Sequence, residues 1–277
     1  MSNQIIETSH GSIAFIDTAG TGVAVVMIHA NSVCKESFKS QISALAGLRR
    51  VIAFDLPGHG ASGNAVDPRR TYSIPGYADA LLEALKGLSV DRFVAVGHSL
   101  GGHVVLEMLA REASVDGALI FGTPPIANNL DGLQAGFKPT PEMAYTGSAD
   151  LTEQQIGMVV ELALGRGASG DQFFLDAVRR TDGLARQYMI EAAIAGEGSN
   201  QRHTAETSTI PLAIINGEDD AVINLDYIDR LHFANVWGGK PIRIQGAGHA
   251  PHREQTRKFN EILLRFEDFL NGQREVH

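Results

Sequence analysis

The chain has 277 residues, 44% hydrophobic and 20% charged, enough apolar side chain to build a large core and to exclude disorder. Its net charge of −9, with no basic cluster beyond pairs such as Arg49-Arg50 and Arg179-Arg180, argues against nucleic acid or an anionic membrane as a partner. One cysteine, Cys34, rules out an internal disulfide, and neither a basic, apolar leader nor a membrane-length apolar run is present, so a soluble cytoplasmic protein is expected, with a monomer compatible.

In chain order, Ser12–Asp17 reads as a strand that ends in the turn Ala19-Gly20-Thr21-Gly22. Val23–Ile28 is an unbroken apolar run, as expected of a strand buried on both faces. A helical stretch around Phe38 to Leu45 precedes the strand Val51–Phe54. Ala78, Leu81, Leu82 and Leu85 then mark one face of a helix. Phe93–Val96 reads as a strand, and Leu100, Val104 and Met108 give the stripe of the next helix. Ala118–Phe121, Leu212–Ile215 and Ile242–Ile244 are three more short strands. Phe259, Ile262, Leu263, Phe266 and Phe269 mark a terminal amphipathic helix. Strand and helix alternating in this way predict an α/β fold, a mostly parallel sheet covered on both faces. The stretch from Pro124 to Ile210 is far longer than a single crossover needs, and Ile156, Val159, Val160, Ala163 and Phe173, Phe174, Ala177, Val178 give it helical spacing. The expected organisation is a core of residues 1–123 and 211–277 with an inserted helical cap at 124–210 over the carboxyl ends of the strands.

Between the strand Phe93–Val96 and its helix lies Gly97-His98-Ser99-Leu100-Gly101. Gly-x-Ser-x-Gly alone is a weak pattern; a strand before it and a helix after it make it strong. Such a turn lifts a serine clear of the sheet, above a helix N-terminus that favours developing negative charge. Serine needs a base within hydrogen-bond reach, and the base needs an orienting acid. His249, in the Gly-rich loop Gly246–Pro251 after the last strand, is the candidate base. His10, His232 and His277 read as surface residues, and His98 and His103 flank the serine without a loop to aim them. His252 forms His-x-x-His with His249, but without a third ligand no metal is expected. Gly217-Glu218-Asp219-Asp220 follows another strand and offers the acid, assigned to Asp220 with Asp219 as the alternative. An oxyanion hole is expected from the backbone N–H groups of Leu100 and of Asn31 in the loop His29-Ala30-Asn31-Ser32. Asp55 and His59, in Asp55-Leu56-Pro57-Gly58-His59-Gly60, read as a structural turn.

These motifs resemble the α/β-hydrolase superfamily over the whole chain. Within it the chain is most similar to the serine-dependent N-acyl-homoserine lactone hydrolases, the capped quorum-quenching lactonases. Besides the serine and histidine motifs, Gly76-Tyr77-Ala78-Asp79-Ala80, Gly122-Thr123-Pro124-Pro125, Arg180-Thr181-Asp182-Gly183 and Asn200-Gln201-Arg202 carry this resemblance. It implies a nucleophile at Ser99, an acid at Asp220, a base at His249 and oxyanion donors at Leu100 and Asn31. It also implies lactone hydrolysis through an acyl-enzyme, no cofactor, and a small acyl lactone or ester as the partner. A general carboxylesterase or C–C bond hydrolase on the same triad is the alternative, and a slow-turnover ligand receptor the more distant one. Three departures stand out. The oxyanion loop has His29-Ala30 where His-Gly is common, and the acid is aspartate where the similar lactonases use glutamate. No tyrosine lies near Met158-Val159-Val160, so Tyr145 or Tyr188 is expected to touch the lactone instead.

Overall fold

In the computed structural model, which describes residues 3–111 and 114–274, eight strands form one sheet. They are β1 (Gln4–Thr8), β2 (Gly11–Asp17), β3 (Ala24–Ile28), β4 (Val51–Phe54), β5 (Phe93–His98), β6 (Val115–Phe121), β7 (Leu212–Gly217) and β8 (Ile242–Ile244). Their order is β1-β2-β4-β3-β5-β6-β7-β8, antiparallel at β1/β2 and β2/β4 and parallel thereafter. Every strand read from the sequence is present. β1 is the addition: Gln4–Thr8 is mostly exposed at the sheet edge, so it carries no apolar run to announce it.

Successive side chains of a strand point to opposite faces, and here both faces are covered. Val26, Ile28, Ala95, Ile120 and Ile214 pack against the helices Ile74–Gly87 and Leu100–Ala110. Met27, Val94, Val96, Leu119 and Ile215 pack on the other face against Lys39–Leu45 and Thr256–Arg274. The terminal helix buries Phe259, Ile262, Leu263 and Phe266, whereas Phe269 stays partly exposed beside Trp237.

Between β6 and β7 the chain forms the helices Leu130–Gly136, Glu153–Leu164, Gln172–Arg180, Gly183–Ile194 and Gln201–Thr207, with short 3-10 turns between. Ile156, Val159, Val160, Ala163, Phe174, Ala177 and Val178 bury themselves against Ala30, Val33 and Cys34, in the loop after β3. This segment therefore packs on the loop that leaves the carboxyl end of β3. Phe173, expected on the same stripe, is exposed. Asp182 fastens the segment down: it caps Gly183–Ile194, donates its N–H to Gly58 O at 2.8 Å, and accepts from the Tyr72 hydroxyl at 2.7 Å. Arg180 Nη2 donates to Ser62 O at 2.6 Å.

His10 corrects the sequence reading. It is buried rather than on the surface, with Nδ1 2.9 Å from Thr71 Oγ1 and Nε2 3.1 Å from Arg70. Burial and the Arg70 charge hold its imidazole below the ordinary histidine range. His232 is exposed as expected, and His277 lies outside the described residues. No helix among the described residues is long and apolar enough to cross a membrane.

Glu267 is buried in the terminal helix, and its carboxylate oxygens find no hydrogen-bond donor among the described residues. Burial, partly offset by Arg49 and Arg274, pushes its carboxyl up to about 7. A carboxyl that holds its proton more tightly when folded stabilises the native state at pH below its unfolded value, and that stability is lost as pH rises through about 7. Glu267→Gln, which mimics the protonated form, is expected to raise unfolding stability at pH 8 by about 1–3 kcal/mol and to change it little at pH 4. Urea titrations at the two pH values check this.

Candidate active site

Ser99 stands between β5 and the helix Leu100–Ala110 with φ 51° and ψ −114°, a strained conformation for a residue with a Cβ. Its own N–H donates to Phe121 O at 2.9 Å, and its carbonyl accepts from Thr123 Oγ1 at 2.9 Å. The two glycines around it are forced by packing. A Cβ on Gly97 would collide with the backbone of Gly101, and one on Gly101 would collide with Ile28 O at the end of β3. The turn is thereby pressed onto the loop that carries Asn31. The N–H groups of Leu100 and Asn31 have no backbone acceptor among the described residues, and both residues border the same cavity as Ser99. Ala30 keeps an ordinary backbone and packs its methyl with Val33; the left-handed position of the loop falls at Ser32, φ 63°. That is how the loop accepts alanine in place of glycine.

Asp220 and His249 are brought together by direct contact of two loops, since a Cβ on Gly217 would collide with Ala247 O and Gly248 O. Asp220 Oδ2 accepts from His249 Nδ1 at 2.9 Å, and Oδ1 accepts from the N–H groups of Val222 (2.7 Å) and Ile223 (3.2 Å). Burial opposes ionisation of Asp220, but the His249 contact and these two amides outweigh it and hold the carboxyl below the ordinary aspartate range. Asp219, the alternative acid, is exposed and uses its N–H on Ala247 O. With Nδ1 spent on Asp220, His249 keeps Nε2 for the cavity. The ring lies over the end of β6, where a Cβ on Gly122 would come within 2.9 Å of Cε1. Ser99 and His249 border one cavity without a direct hydrogen bond between their side chains, a separation that such relays commonly close around substrate.

Sequence reading misses what holds His249 in place. Glu254 Oε2 accepts from Gly248 N at 2.8 Å and Ala250 N at 3.2 Å, and His98 Nε2 donates to His249 O at 2.9 Å. A carboxylate one turn into the helix after a Gly-rich loop is the available signal, because that loop's amides need acceptors. The His98 ring stacks on Phe121, and the His252 ring packs among His98, Phe38, Phe121 and Phe259. Burial keeps both imidazoles far below the ordinary range.

Asp55 and His59 stand apart from the cavity. Asp55 accepts from the buried Lys35 ammonium at 2.6 Å and from Lys35 N and Ala61 N at 2.8 Å. His59 Nδ1 lies 3.0 Å from Pro57 O. Cys34, Glu36 and Asp55 gather ligand atoms within 4.8 Å of one another. The Lys35 ammonium, 3.0 Å from Glu36 and 2.6 Å from Asp55, already supplies the positive charge there, and burial pushes the Cys34 thiol up, away from the thiolate a metal needs.

The cavity above Ser99 measures about 610 Å³. Phe137, Met143, Val159, Leu162 and Met189 from the β6–β7 segment line it, and Leu130 and Ile194, both exposed, mark its mouth. Lys138 is the charged side chain on its wall, with Nζ 2.6 Å from Asp220 O. Neither Tyr145 nor Tyr188 borders the cavity, against the sequence expectation. Tyr145 packs on the cluster around Val159, and Tyr188 lies under the Arg69 guanidinium at 3.6 Å.

Residues 25–262 match the model of the alpha/beta hydrolase family. An uncharacterized protein of Mycobacterium tuberculosis is 28% identical, covering 94% of this chain and 80% of that protein. Among solved structures, the N-acyl homoserine lactonase AidH complexed with N-butanoyl homoserine superposes with a TM-score of 0.92 at 40% identity, covering 98% of this chain and 97% of that one. A serine-to-glycine mutant of AidH complexed with N-hexanoyl homoserine lactone gives a TM-score of 0.92 at 39% identity, covering 98% of each chain. An esterase from Exiguobacterium antarcticum shares the fold, with a TM-score of 0.77 at 21% identity over 96% of this chain and 99% of that one.

The Asp220–His249 contact separates the two aspartates experimentally. Asp220→Asn is expected to slow modification of Ser99 by a fluorophosphonate by about 10³–10⁴-fold, and Asp219→Asn to leave it within about twofold. Rates of adduct formation followed by intact-protein mass spectrometry check both.

Proposed function

Because the chain belongs to the alpha/beta hydrolase family, we propose that it opens the lactone ring of N-acyl homoserine lactones, with Ser99, His249 and Asp220 as the catalytic triad and residues 124–210 as a cap over the acyl chain. The supporting observation is the meeting of a strained serine turn, an Asp220–His249 pair and two free amides at the floor of one apolar cavity. Whole-chain similarity to AidH points the same way.

His249 Nε2 takes the Ser99 hydroxyl proton as Oγ attacks the lactone carbonyl. The N–H groups of Leu100 and Asn31 hold the oxyanion, and loss of one such donor costs about 3–4 kcal/mol of transition-state stabilisation. The ring C–O bond breaks, and His249 returns the proton to the departing alkoxide. That alcohol stays tethered, so the acyl-enzyme carries the whole substrate. A water deprotonated by His249 then releases the N-acyl homoserine carboxylate from Ser99. Asp220 fixes the tautomer throughout and stabilises the imidazolium.

One observation favours a second reading, hydrolysis of simple esters on the same triad: neither of the two candidate tyrosines reaches the cavity. Comparing rates on short aryl esters and acyl lactones separates the two.

Ser99→Ala is expected to lose ring opening by on the order of 10⁶-fold in kcat while keeping the wild-type circular dichroism spectrum. The product, read by mass spectrometry at mildly acidic pH, is a single molecule heavier than the substrate by one water. Release of a free fatty acid indicates amide cleavage instead, and full activity in the variant overturns the mechanism.

A further inference from the structure

His103 lies one helical turn beyond Ser99, its N–H closing that turn on Ser99 O at 3.1 Å. It is buried, borders the cavity, and stands beside Phe137 with ring centroids 5.8 Å apart. Its Nδ1 is 2.7 Å from Oε1 of Gln201, the middle residue of Asn200-Gln201-Arg202, on the helix packed against Leu100–Ala110, the elbow helix that follows the Ser99 turn. A carbonyl oxygen accepts, so Nδ1 carries the proton, which leaves Nε2 with a lone pair and no hydrogen. Nε2 has no partner among the described residues and is not among the buried unpartnered atoms, unlike His98 Nδ1 and both ring nitrogens of His252. It is an acceptor open to the cavity. Burial pushes the ring down to about 4, against the Gln201 hydrogen bond, so it stays neutral at physiological pH.

Of the other polar side chains bordering the cavity, Asn31, Ser32, Thr146 and Lys138 already have protein partners, whereas Gln134 is exposed on the helix Leu130–Gly136. Asn31 Nδ2 donates to Thr146 O at 2.8 Å, and Ser32 Oγ donates to Asn31 Oδ1 at 3.2 Å. Thr146 Oγ1 donates to Met143 O at 2.7 Å, and Lys138 Nζ donates to Asp220 O at 2.6 Å. An acceptor without a donor, one turn from the nucleophile, suits a substrate that carries an N–H on the carbon next to the carbonyl under attack.

We propose that His103 Nε2 accepts the substrate's amide N–H, so that the site selects lactones bearing a secondary amide beside the scissile carbonyl, with Gln201 fixing the tautomer. This rests on the acyl-lactone reading above. A lactone with an alkyl chain in place of the acylamino group leaves Nε2 stripped of water and unpaired, which disfavours it.

The test compares kcat/KM for N-hexanoyl homoserine lactone with that for an α-alkyl-γ-butyrolactone of equal chain length. In the wild-type protein the ratio is expected to be about tenfold or more. It should fall toward one in His103→Phe, fall several-fold in Gln201→Leu, and recover in His103→Gln, whose side-chain carbonyl can reach the position of Nε2. A wild-type ratio near one, with both lactones opened, overturns the His103 assignment alone. So does an unchanged ratio in both His103→Phe and Gln201→Leu, which makes these residues structural. A wild-type protein that opens neither lactone overturns the lactonase reading, and this assignment with it.

Discussion

The left-handed backbone of Ser99 is the constraint on which the remaining geometry depends. A residue held at φ 51° and ψ −114° stores on the order of 1–3 kcal/mol, so it persists only where its surroundings leave no alternative. Those surroundings are Gly97 folded against Gly101, and Gly101 pressed onto the last carbonyl of β3. One close approach thus does two things. It lifts the serine hydroxyl above the sheet edge, and it brings the first amide of the elbow helix beside the Asn31 loop. The helix dipole adds partial positive charge at the same point.

The second close approach, between Gly217 and the Ala247–Gly248 backbone, joins the acid and base loops. Loops in backbone contact let the short aspartate side chain reach His249 Nδ1 at 2.9 Å. The β6–β7 segment supplies much of the apolar wall of the cavity that Ser99 borders. It is anchored by Asp182 on Tyr72 and Gly58 and by Arg180 on Ser62. The apolar walls lower the local dielectric, so the hydrogen bonds aimed at the serine count for more than they would in water.

Much of this is legible in the sequence, and what is not fails for identifiable reasons. The central strands announce themselves because both faces are buried, and so their apolar runs are unbroken. β1 is silent because its side chains are mostly in water. The serine and histidine positions follow from a turn motif and a Gly-rich loop, each placed after a strand. Spacing leaves Asp219 and Asp220 open, since adjacent residues differ only in which way the turn points them. His10 reads as surface because its burial depends on Thr71 and Arg70, far along the chain. Residue type alone points to Tyr145 and Tyr188, and type does not say which wall an element presents. The Gln201–His103 contact joins two motifs nearly a hundred residues apart, and only the packed helices bring them together.

A crystal structure of the protein modified at its nucleophile by an acyl phosphonate, a mimic of the tetrahedral intermediate, tests the convergence most directly. The expected result is a bond from Ser99 Oγ to phosphorus, a phosphonate oxygen about 3 Å from the amides of Leu100 and Asn31, and His249 Nε2 within about 3 Å of Oγ. An adduct on another residue contradicts it, as does an imidazole at position 249 that remains out of hydrogen-bond reach of the modified serine.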